Sequence, residues 1–336
     1  MGFFGRKRAP SVPHPRKEPR FDGPLTLKRL EQIFQDCVDF TKRPVSLGEG
    51  GACTLTLCYL SGMVKMERVS DYVLRPLAQD EALARCGTPR QAMEEMMGGA
   101  LYNLSAAERT TLDEAAFDLV AGWCLLFFPG ESAVLSLFVG TEEKRSISSP
   151  SNETVLKGSR DAFVESLRTN TSIVRRHLKT PELRIREQVV GRQSVTSVDI
   201  LYIEGLTNPH LVEQVAAQLA DIDIDAVLAT GNIEEYIVPA ARTAFPLVQY
   251  TERSDRFCAG LAEGRVGILI DGLPLGYLAP GVLGDFLQAP QDKSESWLLA
   301  SALTLLRYLC MLGTLLLPAL YVAMVTFHQE MIPTRL

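Results

Sequence analysis

"VDILYIEGLT" (residues 198–207) runs apolar into a tyrosine, an aliphatic residue, a polar residue and a glycine, and "LTLCYLSGMV" (55–64) does the same earlier in the chain. Each reads as a buried strand that ends in a turn, with a helix to follow. After the later stretch, Asn208 suits a helix cap, Pro209 suits the first helical position, and Val212, Val215, Ala216 and Leu219 share one face. After the earlier one, Met66, Val69, Val73 and Leu77 form the matching face. Further along, "GWCLLFFPGESAVLSL" (122–137) answers "GRVGILIDGLPLGYLA" (264–279), each a pair of strands, turning at Pro129-Gly130 and at Asp271-Gly272. Gly62 and Gly130 are 68 residues apart, and Gly205 and Gly272 are 67 apart. An order of strand, helix and hairpin kept to within one residue implies two copies of one α/β unit. The expected organisation is a first α/β subdomain over 27–150, a linker helix over 157–180 and a second α/β subdomain over 181–290.

In the linker, Ser159 is a reasonable N-cap, Asp161 suits the first turn and Thr180-Pro181 stops the helix. Phe163, Leu167, Val174 and Leu178 line one face, and Arg168, Ser172, Arg175 and Lys179 line the next. Such a basic stripe is either a solvated face or a docking surface for an acidic neighbouring lobe or protomer. Arg168, Arg175 and Lys179 are therefore candidate assembly residues.

Tyr308 to Phe327 is twenty residues without a charged side chain, which at about 1.5 Å per residue matches a hydrocarbon core of roughly 30 Å. It reads as a membrane-spanning helix. Trp297 to Leu306 is also uncharged, so a membrane segment over 297–327 is broken only by Arg307. Pro318 removes one backbone donor inside the span and is expected to kink it. A guanidinium beside a span is costly unless it snorkels to the interface or finds a partner. Arg307, Pro318 and Glu330, the last in the stub 328–336, are the candidate membrane or gating residues.

The 336 residues carry a net charge of −6 and are 46% hydrophobic and 22% charged, as packed globular domains are. Arg6, Lys7, Arg8, Arg16, Lys17 and Arg20 against Glu18 give the first twenty residues +5, leaving −11 on the rest. An acidic body argues against a nucleic-acid partner. With Pro10, Pro13, Pro15 and Pro19 among the first twenty residues and no apolar core of a signal peptide, residues 1–26 read as a disordered basic tail. Seven scattered cysteines and four scattered histidines show no metal-ligand spacing, and the cysteines read as reduced thiols in a cytoplasmic setting. No nucleophile elbow, phosphate loop or paired-histidine motif occurs. "GEGGAC" (48–53) precedes a strand and reads as a loop. Asp221, Asp223 and Asp225 alternate with isoleucines, as in a half-exposed strand, and lack the glycine and distant glutamate of a calcium loop. No enzyme activity, cofactor or metal is expected.

"FVESLRTNTSIVRRHLKTPELRIREQVVGRQSVTSVDILYIEGLTNP" (163–209), "IDIDAVLATGNIEEYI" (222–237), "FPLVQYTERSDR" (245–256), "EGRVGILIDGLP" (263–274) and "LLRYLCMLGTLLLPALYVAMVTFHQEMIPT" (305–334) together resemble the A subunit of GerA-type spore germinant receptors. The likeness is close over about 157–334 and looser over the first lobe. Ser254 stands where the family usually has proline, and "GSRDAF" (158–163) replaces a more usual G-P-R-x-G-F. The resemblance implies two cytoplasmic α/β subdomains followed by membrane spans in the spore inner membrane. It also implies an integral-membrane B subunit, a lipoprotein C subunit, oligomerisation, and ion conduction triggered by nutrient. It brings no catalytic residue. Family members continue past M-I-P-T into further spans, so the chain reads as the front of such a subunit, truncated after its first span, with channel function needing the missing ones. From a different class, two copied lobes could close over a small molecule as a sensor, which would require polar groups converging on a pocket between them.

Overall fold

The computed structural model describes residues 20–47, 54–84, 86, 88–100, 105–140, 161–226, 247–287 and 297–327. The loop expected at 48–53 and Glu330 lie outside them. The chain combines helices with two antiparallel five-stranded sheets, followed by one long apolar helix. The first sheet contains β1 (Phe40–Ser46), β2 (Thr54–Leu60), β3 (Ala106–Arg109), β4 (Trp123–Phe127) and β5 (Val134–Phe138), in the order β1-β2-β4-β5-β3. The second contains β6 (Leu183–Val190), β7 (Thr196–Ile203), β8 (Gln249–Thr251), β9 (Val266–Ile270) and β10 (Gly276–Ala279), in the order β6-β7-β9-β10-β8. Strand for strand, the two orders are the same.

The helices repeat as well. α1 (Leu27–Ile33), α2 (66–79, with a π-helical turn at Ser70–Leu74), α3 (Pro89–Glu95) and α4 (Leu112–Val120) belong to the first copy. α5 (Leu167–His177), α6 (Pro209–Ala220) and α7 (Ser254–Ala262) occupy in the second copy the places of α1, α2 and α4. Local chemistry sets several ends: Asn208 accepts from the His210 N–H with Pro209 following it, and Thr111 caps α4 through the Glu114 N–H. Gly62 and Gly205, at equivalent turns, have φ of 83° and 75°, a region that a side chain makes costly.

Both sheets are covered on both faces, which is why their strands read as nearly continuous apolar runs rather than as alternation. Leu57, Tyr59, Leu126 and Leu135 pack with Val69, Val73, Leu77 and Met93 on one side of the first sheet, while Cys58, Leu60 and Leu125 pack with Leu30, Phe34 and Leu119 on the other. In the second sheet, Val198, Ile200 and Ile268 meet Val212, Val215 and Leu219, whereas Leu201, Leu269 and Leu278 meet Leu167, Val174, Phe257 and Leu261. Each fully buried Val or Leu contributes about 1.5–3 kcal/mol.

Three expectations are corrected. The linker helix begins at Leu167, not near 157: Ser166 is the cap, accepting from the Thr169 N–H, because Phe163 is held extended by donating its N–H to Glu252 O at 2.9 Å. Residues 157–160 lie outside the described residues, and α5 itself is packed into the second lobe as its first helix. Residues 20–26 are not part of a disordered tail, since the N–H groups of Arg20 and Phe21 donate to Asp113 Oδ1 at 3.1 and 3.3 Å and Leu25 is buried; residues 1–19 lie outside the described residues. Asp221 to Asp225 is not a strand. Asp221 closes the end of α6, and the Ile224 and Asp225 carbonyls accept from the N–H groups of Arg192, Gln193 and Ser194 in the turn after β6.

α8 (Trp297–Phe327) has 31 residues, none of them buried against protein, and an 18-residue stretch of it has a mean hydropathy of 2.0. At about 1.5 Å per residue it is long enough to cross a bilayer. Pro318 lies inside it, and the helix runs on to Phe327.

Candidate functional site: the junction of the two lobes

The C-terminal half of α5 faces the first lobe. Arg175 projects from it with no solvent exposure and grips Asp39 with a two-point fork, Nε to Oδ2 at 2.8 Å and Nη2 to Oδ1 at 2.9 Å. Its Nη1 donates to Leu183 O at 2.9 Å, and Nη2 lies 3.5 Å from Cys37 Sγ. Burial by itself would lower the guanidinium's pKa, but the Asp39 carboxylate outweighs it and raises the pKa above its ordinary value. Asp39 comes from the turn between α1 and β1, 136 residues away in sequence. One buried ion pair therefore ties the two copies together, and Ser172, one helical turn earlier, packs against the turn at Gly62.

β6 supplies the rest of the junction. Its apolar residues Leu183 and Ile185 enter the core, and the intervening Arg184 and Arg186 turn towards the first lobe. Arg184 donates to Ile33 O, and Arg186 reaches Asp36 at 3.0 Å and Glu213 at 2.7 Å while its Cζ lies 5.4 Å from the centre of the Tyr202 ring. The Val38 N–H donates to Ile185 O at 2.9 Å, so backbone as well as side chains crosses the boundary. Arg20 adds an ion pair to Glu182 at 2.8 Å.

At the other end of α5, Arg168 is half-exposed and binds Glu187 at 2.7 Å and Asp199 Oδ2 at 3.4 Å. Asp199 is fully buried on β7, and its Oδ1 has no hydrogen-bond partner. Burial raises its pKa to about 7, with Glu187, Asp39 and Asp271 adding to the rise and Arg168 opposing it.

Of the three candidates on the stripe, Arg175 lies in the junction, Arg168 sits at its margin on second-lobe carboxylates, and Lys179 is exposed beyond the end of α5. Arg307 donates from Nη1 to Leu287 O at 3.1 Å, at the foot of the second lobe. Asp39, Arg184, Arg186 and Asp199 were not singled out by sequence reasoning. The alternation of arginines with Leu183 and Ile185 in "LRIREQVV" does mark a polar strand face, but a lone Asp39 carries no such signal.

The chain thus joins two copied, helix-covered antiparallel lobes, locked by a buried ion pair, to a helix long and apolar enough to cross a membrane, and among the described residues no cluster of metal-ligating side chains occurs. Residues 28–336 match the Bacillus/Clostridium GerA spore germination protein family, and the chain belongs to that family. It is 34% identical over 300 residues to spore germination protein KA of Bacillus subtilis (strain 168), covering 89% of this chain and 54% of that one. It is 35% identical over 310 residues to the membrane protein YfkQ of the same organism, covering 92% and 59%. The chain thus spans little more than half the length of these relatives. The crystal structure of the N-terminal domain of the A subunit of the Bacillus megaterium spore germinant receptor GerK3 is similar in fold, with a TM-score of 0.60 and 27% identity over 79% of this chain and 99% of that one.

Proposed function

We propose that this chain is a non-enzymatic A-type subunit of a germinant receptor, acting in signal transduction during nutrient-triggered germination. The observation that carries the reading is the family match, which runs from the first lobe through the apolar helix. In this reading the lobes face the cytoplasm at the spore inner membrane, α8 spans the bilayer, and B-type and C-type subunits and further copies of the chain are the partners. Ion conduction belongs to an assembly with more spans, because Gly313, Thr314 and Thr326 give one apolar helix little with which to line water. The lobe junction supports a relay over a ligand clamp: among the described residues, Arg175 and Asp39 are spent on each other and on backbone.

Two measurements test this. Spores lacking the gene should lose optical density more slowly on exposure to at least one nutrient mixture, and an unchanged response to every mixture overturns the receptor assignment. Liposomes loaded with potassium and containing only this chain should not leak. A stable cation conductance from the 336-residue chain would show that one span suffices.

A further inference from the structure

The last turn of the second lobe is amphipathic in the wrong sense for water. Leu283–Leu287 forms a short helix, and its one acidic residue points inward. Asp285 is clamped by Arg265, through Nη1 to Oδ2 and through Nη2 to Oδ1 at 3.0 Å, and its Oδ2 also accepts from the Val282 N–H at 3.1 Å. Arg265 is itself held by Glu263 at 2.8 Å and Gln249 at 3.3 Å, so the clamp is built into the lobe. Val282, Leu283 and Phe286 consequently face outward, 48%, 53% and 47% exposed. A surface helix in water places its apolar side on the core and its charge outside; this one does the reverse.

Its location explains the inversion. A side chain at Gly284 would meet the Tyr308 hydroxyl at 3.5 Å, and Arg307 donates to Leu287 O. The patch is therefore level with Arg307 and Tyr308, where the last charge before the twenty-residue uncharged run gives way to the run itself. That is the depth at which a cationic head and a tyrosine ring favour the boundary between headgroups and acyl chains. Resting on the reading of α8 as a span, we propose that Val282, Leu283 and Phe286 form a foot by which the second lobe stands in the lipid interface beside α8. The Asp285–Arg265 clamp sets the angle of that foot. A lipid interface is the occupant that fits, because the patch is continuous with the exposed surface of α8 and is small, apolar and flanked by interfacial residue types.

The test uses the full chain in vesicles of phosphatidylcholine and phosphatidylglycerol. Phe286→Trp, at a site 47% exposed, is compared with Val189→Trp, at a site 58% exposed on β6, an edge strand of the second sheet, each read as the signal added over the parent chain. Phosphatidylcholine brominated in the upper half of its acyl chains should quench the added emission at 286 several-fold more than at 189, and the emission at 286 should be blue-shifted. Equal quenching at the two sites overturns the foot. A blue-shifted emission at 286 that bromine does not quench also overturns it, since protein from a second copy or another span then covers the patch. A chain that fails to float with the vesicles overturns the spanning reading, and the foot with it.

Discussion

β1 and β6 are the same strand in two copies, and they meet opposite fates. β1 ends its sheet in water: Lys42, Arg43 and Pro44 are exposed, and charge together with a missing N–H discourages another strand from adding to that edge. β6 ends its sheet against protein, with Arg184 and Arg186 on first-lobe acceptors and Ile185 O taking the Val38 N–H. Copying a fold duplicates its edges, and the chain has kept one as a guarded boundary while turning the other into an interface. The difference lies in a few side chains and not in topology.

The sharpest way to break this comparison is Arg175→Ala. It leaves Asp39 buried without its partner, and removing one member of a buried pair costs about 3–5 kcal/mol. Thermal unfolding of the full chain in detergent should show the largest loss here, far more than for the half-exposed Arg168→Ala. Arg175→Met combined with Asp39→Leu should recover most of it, because no charge is then stranded. Equal losses from Arg168→Ala and Arg175→Ala would mean that the junction holds by packing alone.

A second comparison sets the same position in the two lobes side by side. Gly62→Ala places a Cβ 3.0 Å from the Ser172 Cβ at φ 83°, whereas at Gly205 the nearest atom is an Arg20 nitrogen at 3.6 Å and φ is 75°. Backbone strain is alike in both, about 1–2 kcal/mol, while only the first also crowds the junction, for a total of about 2–3 kcal/mol. Matching losses in melting experiments would show that the Gly62 turn does not bear on α5.

Much of this was legible because it is local. The glycine-ended strands, the Asn208-Pro209 cap and the two hairpin turns each declare themselves within a few residues, and their equal spacing exposes the repeat. What failed was a choice between similar local signals. Ser159 carries the local signature of a cap, but the pairing of Phe163 with Glu252 keeps the chain extended there and leaves the capping to Ser166. The Asp-Ile alternation of 221–225 mimics a strand, although the Ile224 and Asp225 carbonyls serve the turn at Arg192, Gln193 and Ser194. The stripe of α5 was visible as charge, but its meaning depended on Asp39, which no spacing rule connects to Arg175.

Asp199 gives a smaller and pH-dependent effect. Its pKa is raised from 3.8 to about 7 by burial, so the folded chain keeps a proton that the unfolded chain releases between those values. The folded state therefore binds more protons across that window, and stability falls as the pH rises towards 7. Asp199→Asn should flatten that slope and leave the protein about 1–2 kcal/mol more stable at alkaline pH. Denaturant midpoints measured at acid and alkaline pH check it. A parent and variant that differ equally at both would locate the titration elsewhere.

The smallest effect belongs to the guarded edge. Lys42 pairs with Glu31 at 2.8 Å, but the two side chains are 59% and 33% exposed, and a pair so placed is worth about 0–1 kcal/mol and weakens with salt. Lys42→Ala should leave the melting temperature almost unchanged. Its physical role is negative: with Arg43 and Pro44 it keeps β1 from pairing with another β1. Lys42→Val with Arg43→Val should therefore increase light scattering of the concentrated protein without lowering its stability, because the change removes charge from an open edge and leaves the core untouched. Charge reversal at Arg184 and Arg186 on β6 should do the opposite, loosening the junction while adding little aggregation. If both pairs of substitutions acted alike, the two edges would be equivalent after all, and the asymmetry between the copies would have to lie in the helices.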